Sequence, residues 1–216
     1  MYYDLFTLAE QLQTVLQQRE QELRLEQAVQ GLDTLSEVQL HELLAAGIKQ
    51  WYAVAREVHY PSTRGRKLSH RARCDLVLCP SGRPLELDSI TPDLFSPKEM
   101  TLAEKALWLE VKVAYQFREG NIPHGGYGSQ WRNAVVADLQ KMEQEPLIHE
   151  AALLLIVFNE SQQILEKDLD LFEMVLAQKE VLAGYRQVRS VPIADRIGHR
   201  LCSVAIWPTV QRGGDS

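Results

Sequence analysis

LWLEVKV, residues 107–113, alternates apolar and other side chains with the two-residue period of a β-strand. We predict a strand over residues 106–115, with Leu107, Leu109, Val111 and Val113 on one face. Its other face carries Trp108, Glu110 and Lys112, so the acid and the ammonium group are neighbours in space. Charges are costly to bury in a core strand unless they are paired or bound to a metal.

A second apolar strand, predicted over residues 73–78, also contains a carboxylate, Asp75. Two carboxylates on neighbouring strands suit Mg²⁺, which also keeps several waters and binds substrate phosphates. A lysine beside them can hold the attacking water and stabilise developing charge. Two structural alternatives stay open: Glu110 and Lys112 form an ion pair on a half-exposed strand, and Asp75 pairs with Arg73.

The remaining periodicities predict an alternation of helices and strands around these two strands. Ser36 and Gln39 form a capping-box pattern before the second helix, and Ser129 is expected to cap the third. The predicted helices cover residues 4–30, 36–55, 129–142 and 160–182, and the further strands cover 57–60, 83–90, 151–158 and 202–207. This order predicts a mixed α/β layered fold whose sheet is antiparallel at its start and parallel later.

Composition is that of a globular protein, with 216 residues, 45% hydrophobic and 24% charged. We expect an N-terminal helical extension packed on the core (1–35), one α/β domain (36–210) and a polar tail (211–216). The longest apolar run, 151–158, is too short to cross a bilayer, and residues 1–4 lack the basic start of a signal peptide. We therefore expect a cytoplasmic protein with no membrane partner. Three cysteines without a C-x-x-C pair support neither a disulfide framework nor a zinc cluster.

The charge distribution is uneven. With 23 Lys and Arg against 29 Asp and Glu, the net charge of −6 argues against coating of nucleic acid by charge alone. Residues 62–74 nevertheless contain no acid, and their cations lead directly into Asp75. Four of these cations are candidates for phosphate contacts: Arg64, Arg66, Lys67 and Arg71. The alternative is that this segment only balances an acidic surface.

Asp75 in RCDLVL, with Glu110 and Lys112 in LWLEVKV, resembles the motif of the PD-(D/E)XK nuclease superfamily. The resemblance spans residues 36–158 and implies a restriction-endonuclease-like mixed sheet flanked by helices. It implies that Asp75, Glu110 and the Val111 carbonyl bind Mg²⁺ or Mn²⁺, that Lys112 positions the attacking water, and that DNA is the substrate. Such proteins often add a glutamate from the preceding helix, and Glu42 is the candidate here, with a solvated surface glutamate as the alternative.

Two departures from that family stand in the sequence. Thirty-four residues separate Asp75 from Glu110, which predicts an insertion, and Gln130 is followed four positions later by Ala134 instead of the tyrosine of the RecB-like subgroup. The alternative functions are a catalytically silent binding or regulatory module on the same fold, and an adaptor that acts through its N-terminal helices. A homodimer is also expected for an enzyme that cuts two strands.

Overall fold

A computed structural model describes residues 3–63, 72–86, 99–118 and 120–210. The helices are α1 (Leu5–Leu25), α2 (Glu37–Ile48), α3 (Tyr127–Glu143) and α4 (Gln162–Gln178). The strands are β1 (Tyr52–His59), β2 (Arg73–Pro80), β3 (Leu107–Tyr115), β4 (Phe117–Arg118), β5 (Ile122–Pro123), β6 (Glu150–Asn159), β7 (Gln187–Pro192) and β8 (Leu201–Pro208). The described residues therefore form the mixed α/β fold that the sequence predicts.

Six strands form the main sheet in the order β1-β2-β3-β6-β8-β7. The pairing is antiparallel at the start, as predicted, and β3 pairs with β6 in parallel because α3 crosses between them. The expectation of further parallel pairing is wrong: β8 inserts antiparallel between β6 and β7. Every residue of β6 is buried, as expected for a central strand covered on both faces.

Two apolar layers cover the sheet. Helices α1 and α2 pack with Leu76, Leu109 and Val111 on one face, and α3 and α4 pack with Val77 and Trp108 on the other. The predicted extension, α1, contacts α2, β7 and β8 of its own chain. Gly47 permits the close approach of α2 to α1, since a Cβ there would lie 2.4 Å from a methyl carbon of Val15.

Several predicted boundaries are wrong, each for a local reason. The second helix ends at Ile48 and not at residue 55, because residues 52–59 pair with β2. Gly126, rather than Ser129, precedes the first residue of α3, and the Ser129 hydroxyl donates back to the Gly126 carbonyl. Strand β7 was not predicted, because its side chains are mostly half-buried and show no clear alternation.

The hairpin predicted over residues 83–90 is also wrong in its described part, residues 83–86. Leu85 forms an isolated parallel bridge with Thr101 there, and residues 87–90 lie outside the described ranges. The capping box of Ser36 and Gln39 is confirmed. In the ranges that the structure covers, no helix is both long and apolar enough to span a membrane.

Candidate active site at the β2–β3 divergence

The backbone ladder between β2 and β3 ends at the Leu76–Leu109 pair, one step before Asp75 would face Glu110. There the Asp75 Oδ2 atom accepts a hydrogen bond of 2.7 Å from the Val111 N–H. The carboxylate thus takes the place of a backbone acceptor. Because the N–H and C=O of one strand residue point the same way, the Val111 carbonyl also faces the Asp75 side of β3.

Irregular backbone in β1 accompanies this divergence. Pairing of β1 with β2 is regular at Arg56–Leu76 and resumes at Val58–Cys74, leaving Glu57 opposite Asp75. Glu57 has a φ of 52°, in the left-handed region that non-glycine residues seldom adopt. Leu76 packs on the α1–α2 face, whereas Cys74 packs on the α3–α4 face, so the usual alternation of faces breaks between them. Asp75 sits at that break.

Glu110 is buried, 2% exposed, and its Oε1 atom has two donors. The Tyr60 hydroxyl donates to it at 2.6 Å, and the Lys141 ammonium lies 2.5 Å away. Tyr60 is itself held by stacking on Trp108, with ring centroids 5.5 Å apart. Burial raises the pKa of Glu110 to about 7, and the neighbouring Asp75 charge adds to this although Lys141 and Tyr60 act against it. Glu110 therefore changes charge near neutral pH.

The carboxyl groups of Asp75 and Glu110 affect each other's ionisation. Burial raises the pKa of Asp75, while the Val111 N–H, the Lys112 charge and the interaction with Glu110 lower it. The charge of Asp75 in turn raises the pKa of Glu110. Neighbouring carboxyl groups of this kind favour a state in which they share a proton or a cation. The two carboxylates and the Val111 carbonyl are the oxygen donors that a cation here would use.

Lys112 lies on the same face of β3 as Glu110, as the alternation predicts. Its Nζ atom is 3.1 Å from Asp138 Oδ2 and donates to the Val111 carbonyl at 3.4 Å. Burial lowers the pKa of Lys112, but the charges of Asp138, Asp75 and Glu110 outweigh it and raise the pKa overall. The ammonium group is therefore held in its charged form next to the Val111 carbonyl.

Helix α3 contributes the partners that sequence patterns missed. The Lys141 Nζ atom lies 2.5 Å from Glu110 Oε1 and 3.1 Å from Asp138 Oδ1. In the described part of the chain, Glu110 forms an ion pair with Lys141 of α3, and Lys112 forms one with Asp138 of α3. These contacts take the place of the Glu110–Lys112 ion pair that the sequence left open. Asp138 and Lys141 have i, i+3 spacing on a predicted helix, but nothing in that spacing identifies the strand that they face.

Glu42 lies away from this cluster. It is exposed on α2 and pairs with Arg56 at 3.2 Å, which is the surface arrangement considered as its alternative. Its predicted role as an additional acid has no contact in the structure to support it.

The structure describes only the two ends of the basic segment, residues 62–63 and 72–74. Arg64, Arg66, Lys67 and Arg71 lie outside the described residues. On its two sides, the Tyr60 N–H donates to the Ala72 carbonyl at 3.1 Å, and the Ser62 N–H donates to Glu145 at 3.1 Å. Since the Tyr60 hydroxyl also donates to Glu110, both ends of this segment lie near Glu110.

The donor set suits a hard cation that keeps part of its water shell. Asp75, Glu110 and the Val111 carbonyl give two charged oxygens and one neutral oxygen, which matches Mg²⁺ or Mn²⁺ better than zinc. Within the described ranges, no group of three or more His, Cys, Asp or Glu side chains is placed to hold a metal. A cation here would thus depend on the backbone carbonyl and on water.

A cleft of about 240 Å³ opens beside Lys112, at the carboxyl end of β3. Tyr115, His124, Tyr127 and Trp131 line it with Lys112. A substrate could reach the ammonium group from this side.

Comparison of the chain with protein-family models, with curated proteins and with solved structures finds no match.

Proposed function

We propose that this chain is a metal-dependent nuclease with a restriction-endonuclease-like core that hydrolyses phosphodiester bonds in DNA. The observation that carries the proposal is the hydrogen bond from Val111 N–H to Asp75 at the end of the β2–β3 ladder. It holds the Asp75 carboxylate at the backbone of Val111, the residue between Glu110 and Lys112. The resemblance to PD-(D/E)XK nucleases rests on the same residues.

The residues have separate roles in this proposal. Asp75, Glu110 and the Val111 carbonyl would hold Mg²⁺ or Mn²⁺. A cation held there would supply positive charge to the phosphate and acidity to a bound water. Lys112, whose charge Asp138 maintains, positions the attacking water and stabilises negative charge on the phosphate. Arg64, Arg66, Lys67 and Arg71 bind flanking phosphates.

A specific observation also favours the second candidate, a catalytically silent nuclease-fold module that binds or regulates. Lys141 already pairs with Glu110, and Lys112 already pairs with Asp138, so these four charges are compensated without a bound cation. Buried ion pairs of this kind occur as structural elements. The two candidates differ in whether the cluster binds a metal.

Calorimetric titration with Mg²⁺ and with Mn²⁺ separates them. The proteins are the wild type, Glu110→Ala and the control Glu166→Ala, which removes an exposed carboxylate from α4. The nuclease proposal expects binding by the wild type and the control, loss of binding in Glu110→Ala, and metal-dependent cleavage of plasmid or single-stranded DNA by the two binders. Absence of metal binding by the wild type, with DNA also present, would instead support the silent module.

A further inference from the structure

A second, larger cleft adjoins the candidate active site. Its volume is about 730 Å³, within the range of small-molecule sites, and it reaches from the start of α2 to the turn before β8. Glu37, Tyr115 and His124 line both this cleft and the smaller one beside Lys112. The larger cleft, called the groove below, therefore adjoins the cleft beside Lys112 and reaches Arg196 at its far end.

The groove contains buried polar atoms that have no hydrogen-bond partner. Three such atoms belong to its lining: Asp33 Oδ1, His124 Nε2 and Arg196 Nη1. Leaving a buried polar group unpaired is costly, so an adjustment of the groove wall that lets a ligand pair with one of these atoms is favoured. The Asp33 side chain is fully buried, and its other oxygen is held by His199 at 3.0 Å.

The donor and the acceptor at the far end of the groove lie close together. Arg196 Nη1 and Asp33 Oδ1 are 2.6 and 2.7 Å from the point that a Cβ on Gly31 would occupy. Arg196 Nε donates to the Ala28 carbonyl at 3.3 Å, and Nη1 lies 3.6 Å from Glu20 Oε1, an ion pair without a hydrogen bond. Both atoms are buried, so a ligand that reaches this pair by displacing the groove wall needs a donor for Asp33 and an acceptor for Arg196.

Aromatic rings and an exposed cation complete the lining. Tyr115 and Phe117 are half-buried in the wall, and Arg118 is exposed beside them. A nucleotide has a flat apolar base whose edge places a donor beside an acceptor, together with an anionic phosphate. Single-stranded nucleic acid is commonly bound by aromatic stacking combined with backbone cations.

We propose that this groove binds an unpaired nucleotide of the substrate strand, with its base against Phe117, its base edge toward Asp33 and Arg196, and its phosphate at Arg118. The inference rests on the proposed function, since it places this nucleotide beside the phosphate that Lys112 faces. The base edge has to be free of its complementary strand, so the preferred substrate is single-stranded DNA.

Binding is measured in EDTA, which removes the contribution of any metal, by the fluorescence anisotropy of a labelled oligonucleotide and of its duplex. The wild type is expected to bind the single strand at least about tenfold more tightly than the duplex. Phe117→Leu keeps an apolar side chain but loses the ring, and we expect single-strand affinity to fall about tenfold. Arg118→Gln removes a phosphate contact, with a loss of about fivefold.

Lys167→Gln is the matched control, because it removes one exposed cation from α4, outside the groove lining. Its affinity is expected to equal that of the wild type, and thermal unfolding checks that all variants are folded. Equal affinity for single strand and duplex, or folded Phe117 and Arg118 variants that bind like the control, would overturn the groove proposal.

Cleavage in Mg²⁺ is scored separately from binding. Selective single-strand binding that depends on Phe117 and Arg118, without any cleavage, would support the groove and contradict the nuclease proposal. Cleavage by a wild type that shows no dependence on these two residues would contradict the groove alone.

Discussion

Asp75 and Val111 form a side-chain-to-backbone hydrogen bond of 2.7 Å in place of the next rung between β2 and β3. A carboxylate that substitutes for a backbone carbonyl satisfies the Val111 N–H and keeps its second oxygen for another partner. This arrangement explains how two central strands can separate without leaving an unpaired buried donor. It also places the charge of Asp75 beside Glu110.

Asp75→Asn tests whether that charge is needed. The amide oxygen of Asn can still accept from Val111, so we expect the thermal midpoint to stay close to that of the wild type. Removal of one charged ligand should weaken Mg²⁺ binding by at least about tenfold and abolish detectable DNA cleavage. Calorimetry and a plasmid-nicking assay measure the two effects. Unchanged cleavage by a folded Asp75→Asn would contradict the assigned role.

The raised pKa of Glu110 predicts a pH-dependent stability. The pKa is about 7 in the folded chain, against an ordinary value of 4.5, so the folded state holds this proton more tightly than the unfolded state. Its contribution is fully present below pH 4.5 and is lost as the pH rises to about 7. Relative to Glu110→Gln, the wild type should lose up to about 3 kcal/mol of unfolding free energy across this range.

Urea denaturation of both proteins at several pH values measures this difference, and other titrating groups cancel in the comparison. A difference that does not change between pH 4.5 and 7 would contradict the assignment. Because a cation binds the ionised carboxylate, the Mg²⁺ affinity of the wild type should instead increase with pH and level off above about 7.

Much of the fold can be predicted from local patterns. The alternation in residues 107–113 and the continuous apolar run at 151–158 predict two central strands because burial on a pleated surface leaves a strong periodic signal. Strand β7 has mostly half-buried side chains and lacks that signal. The antiparallel position of β8 depends on tertiary packing, which no local pattern specifies.

The candidate site is predictable only in part, for a related reason. Glu110 and Lys112 stand out because they interrupt an apolar strand. Tyr60 and Lys141 do not stand out, since a tyrosine at a strand end and a lysine on an amphipathic helix are ordinary in sequence. Their contacts with Glu110 arise from the packing of α3 on the sheet.

Lys141→Met tests the role of the missed lysine. Lys141 lowers the pKa of Glu110, so its removal should raise that pKa further above 7 and make ionised Glu110 more costly. We expect little destabilisation at pH 5, where Glu110 is protonated, and roughly 2–3 kcal/mol at pH 8. Urea denaturation at both pH values measures it, and the background Glu110→Gln should remove the pH dependence. Equal destabilisation at both pH values would show that Lys141 acts through packing alone.

His199 connects Asp33 to the strand that follows β3, and its loss should be costly. Its Nε2 atom accepts from the Phe117 N–H at 3.0 Å, so the proton is on Nδ1 and donates to Asp33. His199 is fully buried among aromatic rings. His199→Leu would leave a carboxylate and an N–H unpaired, and we expect a loss of about 3 kcal/mol or more in urea denaturation. A loss below about 1 kcal/mol would contradict this account of the pair.

The basic segment predicts the salt dependence of DNA binding. Its four candidate cations are Arg64, Arg66, Lys67 and Arg71. Because the rest of the chain is acidic, we expect these four to supply most of the salt dependence of DNA binding. Each phosphate contact adds about −0.7 to the slope of log affinity against log salt for a single strand. Replacing all four by Gln should therefore flatten the slope by up to about 3 while leaving Mg²⁺ binding intact. A slope equal to that of the wild type would mean that this segment only balances surface charge.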